Sequence, residues 1–167
     1  MVMSKYSFDV VSDFDKSEMN NVFDQSKREI DNRYDLKGTK AGIDWIDGDR
    51  LGIKITGDTD FHIDAILDIF RKKLASRGLS QKILDTSKDS STSNLMVTKL
   101  VSFKKGLSQE NAKKITAITR ANFPKANSQI QGDEVRVISA KKDELQDIII
   151  KLKEADFDFP LTFGNYR

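Results

Sequence analysis

The sequence predicts an α+β fold of two similar halves, each an antiparallel four-stranded sheet covered on one face by two helices. Four segments carry apolar residues at helical spacing, and short runs between them alternate with period 2. The segment GDRLGIKITGDTDFHIDAIL, from Gly48, resembles GDEVRVISAKKDELQDIII, which starts 84 residues later at Gly132. A polar stretch, Thr86–Asn94, separates the halves, so we expect domains at residues 1–90 and 91–167.

The first half is expected to begin with a strand at residues 6–11 and a helix that Asp15 and Glu18 open as a capping box. Two strands then flank a tight turn, and a second helix stops at Gly78. The helix positions that share one face are Met19, Val22, Phe23, Ser26 and Ile30, then Ile63, Ile66, Leu67, Phe70 and Leu74. Only residues 81–85 are available for a fourth strand, so an edge strand could instead be exchanged between the halves.

The second half repeats this order. A strand at residues 95–103 precedes a helix that starts at Ser108, and two strands flank the turn at residues 132–133. The second helix has its apolar stripe at Leu145, Ile148, Ile149 and Leu152, and residues 159–163 are expected to form the last strand. A β-α-β-β-α-β order in each half predicts two tandem ferredoxin-like domains, the arrangement also found in RNA recognition motifs.

Composition excludes several classes of protein. A net charge of +2 over 167 residues does not support bulk electrostatic binding to DNA. The chain has no cysteine and one histidine, no apolar run near the roughly 20 residues of a membrane span, and no secretory h-region at its N-terminus. We therefore expect a cytoplasmic monomer without membrane contact, metal or cofactor. Histidine triads, soft-metal clusters and Gly-rich phosphate loops lack their residues, so no enzymatic activity is expected.

Four separated motifs resemble the YajQ family across essentially the whole chain. They are SFDVVSDFD at Ser7–Asp15, QSKREIDNRYDLKG at Gln25–Gly38, QIQGDEVRV at Gln129–Val137 and the terminal FGNYR. The resemblance implies a bacterial cytoplasmic protein of two similar domains, grouped as nucleotide-binding, with members linked to RNA or to cyclic di-GMP. The sequence departs conservatively from the family pattern at Tyr34, Tyr166 and Lys27.

Strand alternation indicates which side chains face away from the helices. If the isoleucines of the first half's third strand point inward, Lys54 points outward, and Arg136 occupies the equivalent position in the second half. No aromatic platform of the RNA-recognition-motif kind appears on either third strand. Polar recognition of phosphates and base edges is the alternative, with the candidates Lys54, Lys99, Gln129, Gln131 and Arg136. The competing interpretation is that these residues are solvated or mediate polar contacts between domains.

Two arginines near the end of the first helix, Arg28 and Arg33, could hold a phosphate. They could equally bond the last carbonyls of that helix or a nearby acid such as Asp35. Asp9 and Ser12 could accept hydrogen bonds from a base or cap the following helix, and Trp45 could stack on a base or fill the edge of the core. The single histidine, His62, has no second metal ligand near it in the sequence. Structural roles are the expectation for all four residues.

The leading hypothesis is a nucleotide-responsive regulator that binds cyclic di-GMP, ATP or GTP without chemistry and so alters a protein partnership. The alternative is a protein that binds tRNA or single-stranded RNA, for which affinity would fall more steeply with salt.

Overall fold

A computed structural model describes residues 5–167, which form four α-helices and two antiparallel sheets. The helices are α1 (Lys16–Asn32), α2 (Asp60–Ser76), α3 (Gln109–Asn122) and α4 (Lys142–Glu154). The strands are β1 (Tyr6–Val11), β2 (Gly42–Trp45), β3 (Gly52–Gly57), β4 (Leu84–Asp85), β5 (Ser91–Ser93), β6 (Met96–Phe103), β7 (Asn127–Gln131), β8 (Glu134–Ser139) and β9 (Thr162–Gly164). The α+β class predicted from the sequence is confirmed.

The described residues divide into two compact units. We call residues 14–104 the continuous unit, and residues 5–13 together with 105–167 the split unit. In the chain, the continuous unit is therefore inserted between β1 and α3 of the split unit.

The split unit has the sheet order β7-β8-β1-β9, with every neighbouring pair antiparallel. Along the chain its elements run β1-α3-β7-β8-α4-β9, an order consistent with a ferredoxin-like domain. Alternate residues of the strands turn toward the helices, because one face of the sheet must be buried. Phe8, Val135 and Val137 are fully buried there, together with Ile115 of α3 and Ile148 of α4.

The continuous unit has the sheet order β2-β3-β6-β4, and β5 also pairs with β6. Its helices α1 and α2 carry the faces predicted from helical spacing, all of which are buried. The N-cap prediction for α1 is also confirmed, since the Asp15 carboxylate accepts a hydrogen bond from the backbone N–H of Glu18 at 3.0 Å. Just after the C-terminal end of α2, Gly78 has a φ of 74°, as expected for a residue that ends a helix.

In a tandem arrangement each half of the sequence would keep its own first strand. The structure differs, because the two halves exchange their first strands. The first strand of the first half, β1, lies centrally in the sheet of the split unit, and the corresponding strand of the second half, β6, lies centrally in the continuous unit. The exchange thus involves two central strands, whereas the sequence suggested an edge strand. The division consequently falls near residues 13 and 104, not at residue 90, and part of the polar stretch 86–94 forms β5.

Candidate functional site

A groove of about 640 Å³ lies along one face of α1 in the continuous unit. Gln25, Arg28, Glu29 and Asn32 line it, and their i, i+3, i+4, i+7 spacing places them on one side of the helix. Arg33, just after the last turn of α1, and Lys73, from the last turn of α2, complete the lining. The groove therefore brings together Arg28 and Arg33, both candidates from the sequence.

Three cations and one carboxylate line this groove. Lys73 Nζ lies 3.1 Å from Glu29 Oε1, and Arg33 Nε lies 2.8 Å from Asp35 Oδ1. The Arg28 guanidinium is exposed and has no hydrogen-bonding or ionic partner within residues 5–167. Because the C-terminal end of a helix carries partial negative charge, an anion bound here would depend on these cations. Arg28 is the one whose side chain is already available.

The turn that follows α1, residues 33–39, holds Arg33 against the groove. Leu36 is 1% exposed and packs in the core of the continuous unit. The backbone N–H groups of Leu36 and Lys37 both donate to the carbonyl of Arg33, at 3.0 and 2.8 Å. Gly38 takes a φ of 79°, a conformation that favours glycine. The turn is thus fixed by its own hydrogen bonds and by an apolar anchor.

Three other predicted residues lie on the open face of the sheet in the split unit. Gln129 faces Arg136 across β7 and β8, and Gln131 lies two positions further along β7. Arg136 in turn faces Asp9 across β8 and β1. Since Arg136 lies between two fully buried valines, its predicted outward orientation is confirmed. The open face here is polar, as strand alternation indicated.

Arg136 is engaged by a carboxylate on this face. Its Nε and Nη2 donate to the two oxygens of Asp9, at 2.9 and 3.4 Å, and Asn165 Nδ2 donates to Asp9 Oδ2 at 2.7 Å. The Arg136 hydrogen bond is the largest cause holding the pKa of Asp9 below its ordinary value; burial opposes it, and Asn165 adds to the lowering. The pKa of Arg136 is raised by the same bond. This arginine is thus largely neutralised by its own sheet.

A cavity of about 260 Å³ lies at one end of the open face in the split unit. Asn127 and Gln129 of β7 line it, with Ile138 of β8 and the lysines Lys5 and Lys125. Both lysines are exposed, and neither has a side-chain partner in the described part of the chain. The free positive charge on this face therefore comes from residues that were not predicted from the sequence.

Lys54 and Lys99 both belong to the continuous unit but do not act together. Lys54 is exposed on the open face, where it lines a cavity of about 320 Å³ with Lys88 and Leu100. Lys99 pairs with the buried Ile55, so its position belongs to the helix-covered side of the sheet. Its ammonium group donates to the backbone carbonyls of Thr86 and Lys88. Lys99 therefore fastens a loop, a structural role.

Two of the four expected structural roles are confirmed. Trp45 stacks on Phe23 with ring centroids 4.0 Å apart, at the edge of the core. His62 Nδ1 accepts a hydrogen bond from the backbone N–H of Asp58 at 3.0 Å. The capping roles expected for the other two differ from what is observed, because Asp9 binds Arg136 and Ser12 Oγ is buried with no partner among the described residues.

Four lining residues of the α1 groove were not predicted from the sequence, namely Gln25, Glu29, Asn32 and Lys73. The three on α1 could have been found, because they share the i, i+3, i+4, i+7 face of the helix with Arg28. Lys73 could not, since its approach to Glu29 depends on how α1 packs beside α2.

Residues 5–167 contain neither a metal-ligand cluster nor a membrane-spanning helix. Among these residues no cluster of three or more histidine, cysteine, aspartate or glutamate side chains is arranged to hold a metal ion. Within the same range, none of the helices has the length and apolar character needed to span a membrane.

Comparison with known proteins identifies the family. Residues 6–167 match the family model described as "Nucleotide-binding protein YajQ-like". A nucleotide-binding protein of Trichodesmium erythraeum is 46% identical over 167 residues, covering 98% of this chain and 99% of the relative. Proteins of the same name from Thermobifida fusca and Nocardioides are each 43% identical, over 96% and 99% of this chain and 97% and 100% of their own length. The resemblance seen in the four sequence motifs is thus confirmed, and the chain belongs to the YajQ-like family of nucleotide-binding proteins.

Proposed function

We propose that this protein binds a nucleotide without transforming it, and that the α1 groove of the continuous unit holds the nucleotide's phosphate groups. The observation that carries the proposal is the unpartnered guanidinium of Arg28 in a groove that also contains Arg33 and Lys73. Guanidinium groups bind phosphate oxygens through parallel charge-assisted hydrogen bonds. The relatives' shared name supports the ligand class.

The size of the groove supports a ligand larger than a lone phosphate. Its volume of about 640 Å³ falls within the roughly 300–1,000 Å³ of small-molecule pockets. Gln25 and Asn32 add amide groups that can meet a base or a sugar hydroxyl. Asn32 already donates to the Arg28 carbonyl at 2.9 Å, which leaves its amide oxygen as an acceptor.

Among nucleotides, we propose cyclic di-GMP as the regulatory ligand. Its phosphates are diesters with one negative charge each, a lower charge density than in ATP or GTP. The groove matches this, because Glu29 offsets Lys73 and Asp35 offsets Arg33. A change of protein partnership on binding would then follow from a shift between conformations of different affinity.

The test is a calorimetric titration of the full chain with cyclic di-GMP, ATP, GTP and tRNA at two salt concentrations. Arg28→Ala should weaken nucleotide binding at least ~tenfold, since a hydrogen bond to a charged group contributes about 1.5–3 kcal/mol. Lys27→Ala is the matched control, because this exposed lysine neighbours Arg28 on α1 but does not line the groove. Equal losses in both variants would contradict the site, and hydrolysis of ATP or GTP by the pure protein would contradict the non-catalytic assignment.

A second candidate function is RNA binding on the open face of the split unit. The amides of Asn127 and Gln129 line one cavity with the free lysines Lys5 and Lys125, which favours this function because amides read base edges and lysines neutralise phosphates. Arg136 contributes less, being paired with Asp9. RNA binding predicts a steep loss of tRNA affinity with salt and a further loss in Lys125→Ala, whereas nucleotide binding at the groove is unaffected by that substitution.

A further inference from the structure

Among the large hydrophobic side chains of residues 5–167, Tyr34 is the most exposed, with 97% of its surface accessible. It lies on the turn after α1, between Arg33 and Asp35, whose side chains form an ion pair at 2.8 Å. Leaving an aromatic ring almost wholly in water forgoes the burial that usually stabilises such residues. No packing role in the described structure accounts for this ring.

The turn that carries Tyr34 is fixed even though the ring is free. Two backbone N–H groups donate to the Arg33 carbonyl, and Leu36, two positions after Tyr34, is buried in the core. A rigid support reduces the entropy lost when an aromatic side chain engages a ligand. Tyr34 is therefore a ring presented to solvent from a defined position.

That position is beside the α1 groove. Arg33 lines the groove and is the immediate chain neighbour of Tyr34, so the two Cα atoms lie about 3.8 Å apart. Tyr34 does not itself line the groove, but the chain places its exposed ring directly after Arg33, a lining residue, and shortly after the free guanidinium of Arg28. These are the two kinds of group that a nucleotide's phosphate and base require.

We infer that Tyr34 is the base-stacking residue of this site and that it selects ligands carrying a nucleobase over bare phosphates. The inference rests on the proposed function of the groove. Stacking accepts any base, because every base presents a π-face. Tyr34 therefore supplies affinity, and any discrimination between bases comes from the amide groups of the groove. Strand alternation excludes aromatic stacking on the third strands, and this turn provides it elsewhere.

The experiment compares cyclic di-GMP, ATP and GTP with inorganic triphosphate, which has phosphates but no base, by calorimetry on the full chain. Tyr34→Ala should weaken binding of each nucleotide that the wild-type chain binds by roughly 5- to 150-fold and leave triphosphate affinity unchanged. Tyr34→Phe should retain wild-type affinity, since it keeps the ring. Tyr166→Ala is the control, because that tyrosine is 60% exposed but lies in the split unit.

Loss of the stacking role and loss of the groove would give different results. If Arg28→Ala loses the nucleotides while Tyr34→Ala binds them as tightly as wild type, the groove stands and the stacking role is overturned. An equal loss of triphosphate in Tyr34→Ala would also overturn it, because the residue would then act on phosphate binding. If the wild-type chain binds none of the three nucleotides, the groove and the stacking role are both overturned.

Discussion

Arg136 and Asp9 face each other across β8 and β1 and share a two-point ion pair, with 2.9 Å between Nε and Oδ1. The carboxylate is the more deeply placed partner, since the Asp9 side chain is 9% exposed and that of Arg136 27%. In the chain, β1 precedes the inserted continuous unit and β8 follows it. The pair therefore joins a strand from the start of the chain to one more than a hundred residues later.

The first prediction concerns what this pair contributes. Arg136→Ala should lower Tm by several degrees in a thermal melt, because the Asp9 carboxylate would keep only Asn165 as a side-chain partner among the described residues. Asp9→Asn should cost less, since the more exposed guanidinium can turn to water. Lys54→Ala, which removes an exposed cation on the other sheet, should leave Tm nearly unchanged. An equal Tm in wild type and Arg136→Ala would contradict the structural role of the ion pair and would leave Arg136 available as a ligand contact.

The sequence predicts the local structure well because each local rule acts within a few residues. Asp15 caps α1, Gly78 stops α2, and the predicted helix faces are buried, all from spacing and backbone preferences. Strand exchange has no such local signal. β1 and β6 have the same alternating pattern and either could pair beside β3 or β8, so pairing is decided by the whole fold.

The site is predicted less completely for the same reason. Arg28 and Arg33 are visible as cations near a helix end, but the groove also needs Lys73, which comes from another helix. Lys99, in contrast, was predicted as a ligand contact but has a structural role. A long aliphatic stem lets a lysine lie on the covered side of a sheet and bring its charge out at the edge, so residue type alone did not reveal its orientation.

The second prediction is a loss of stability in acid. The pKa of Asp9 is lowered chiefly by its hydrogen bond to Arg136, and that of Asp85 chiefly by its hydrogen bond to the Ser87 side chain. A lowered pKa means that the unfolded chain binds protons first, so the stabilisation is complete above the ordinary value of 3.8 and disappears as pH falls through the lowered values. Between pH 5 and 8 these two groups should contribute no pH dependence.

The measurement is the free energy of unfolding by urea from pH 7 down to pH 2. Asp9→Asn should lie below wild type at neutral pH and converge with it in acid, because both chains then carry an uncharged group at position 9. The free energy of unfolding of Asp85→Asn should likewise lie below that of wild type at neutral pH and converge with it in acid. Asp85 belongs to the continuous unit, so this variant reports on that unit. A constant gap between wild type and Asp9→Asn down to pH 2 would mean that the ion pair is not what separates them.

The third prediction assigns Lys99 to the loop that precedes β5. Its ammonium group donates to the carbonyls of Thr86 and Lys88, so Lys99→Met keeps the stem but removes both bonds. Each such bond contributes about 1 kcal/mol, so amide hydrogen exchange in residues 86–90 should accelerate roughly fivefold or more. Lys54→Met is the control, since Lys54 lies on the exposed face of the same sheet.

Nucleotide affinity of Lys99→Met should stay at the wild-type level, because Lys99 does not line the α1 groove. A selective loss of affinity with unchanged hydrogen exchange would instead make Lys99 a ligand contact.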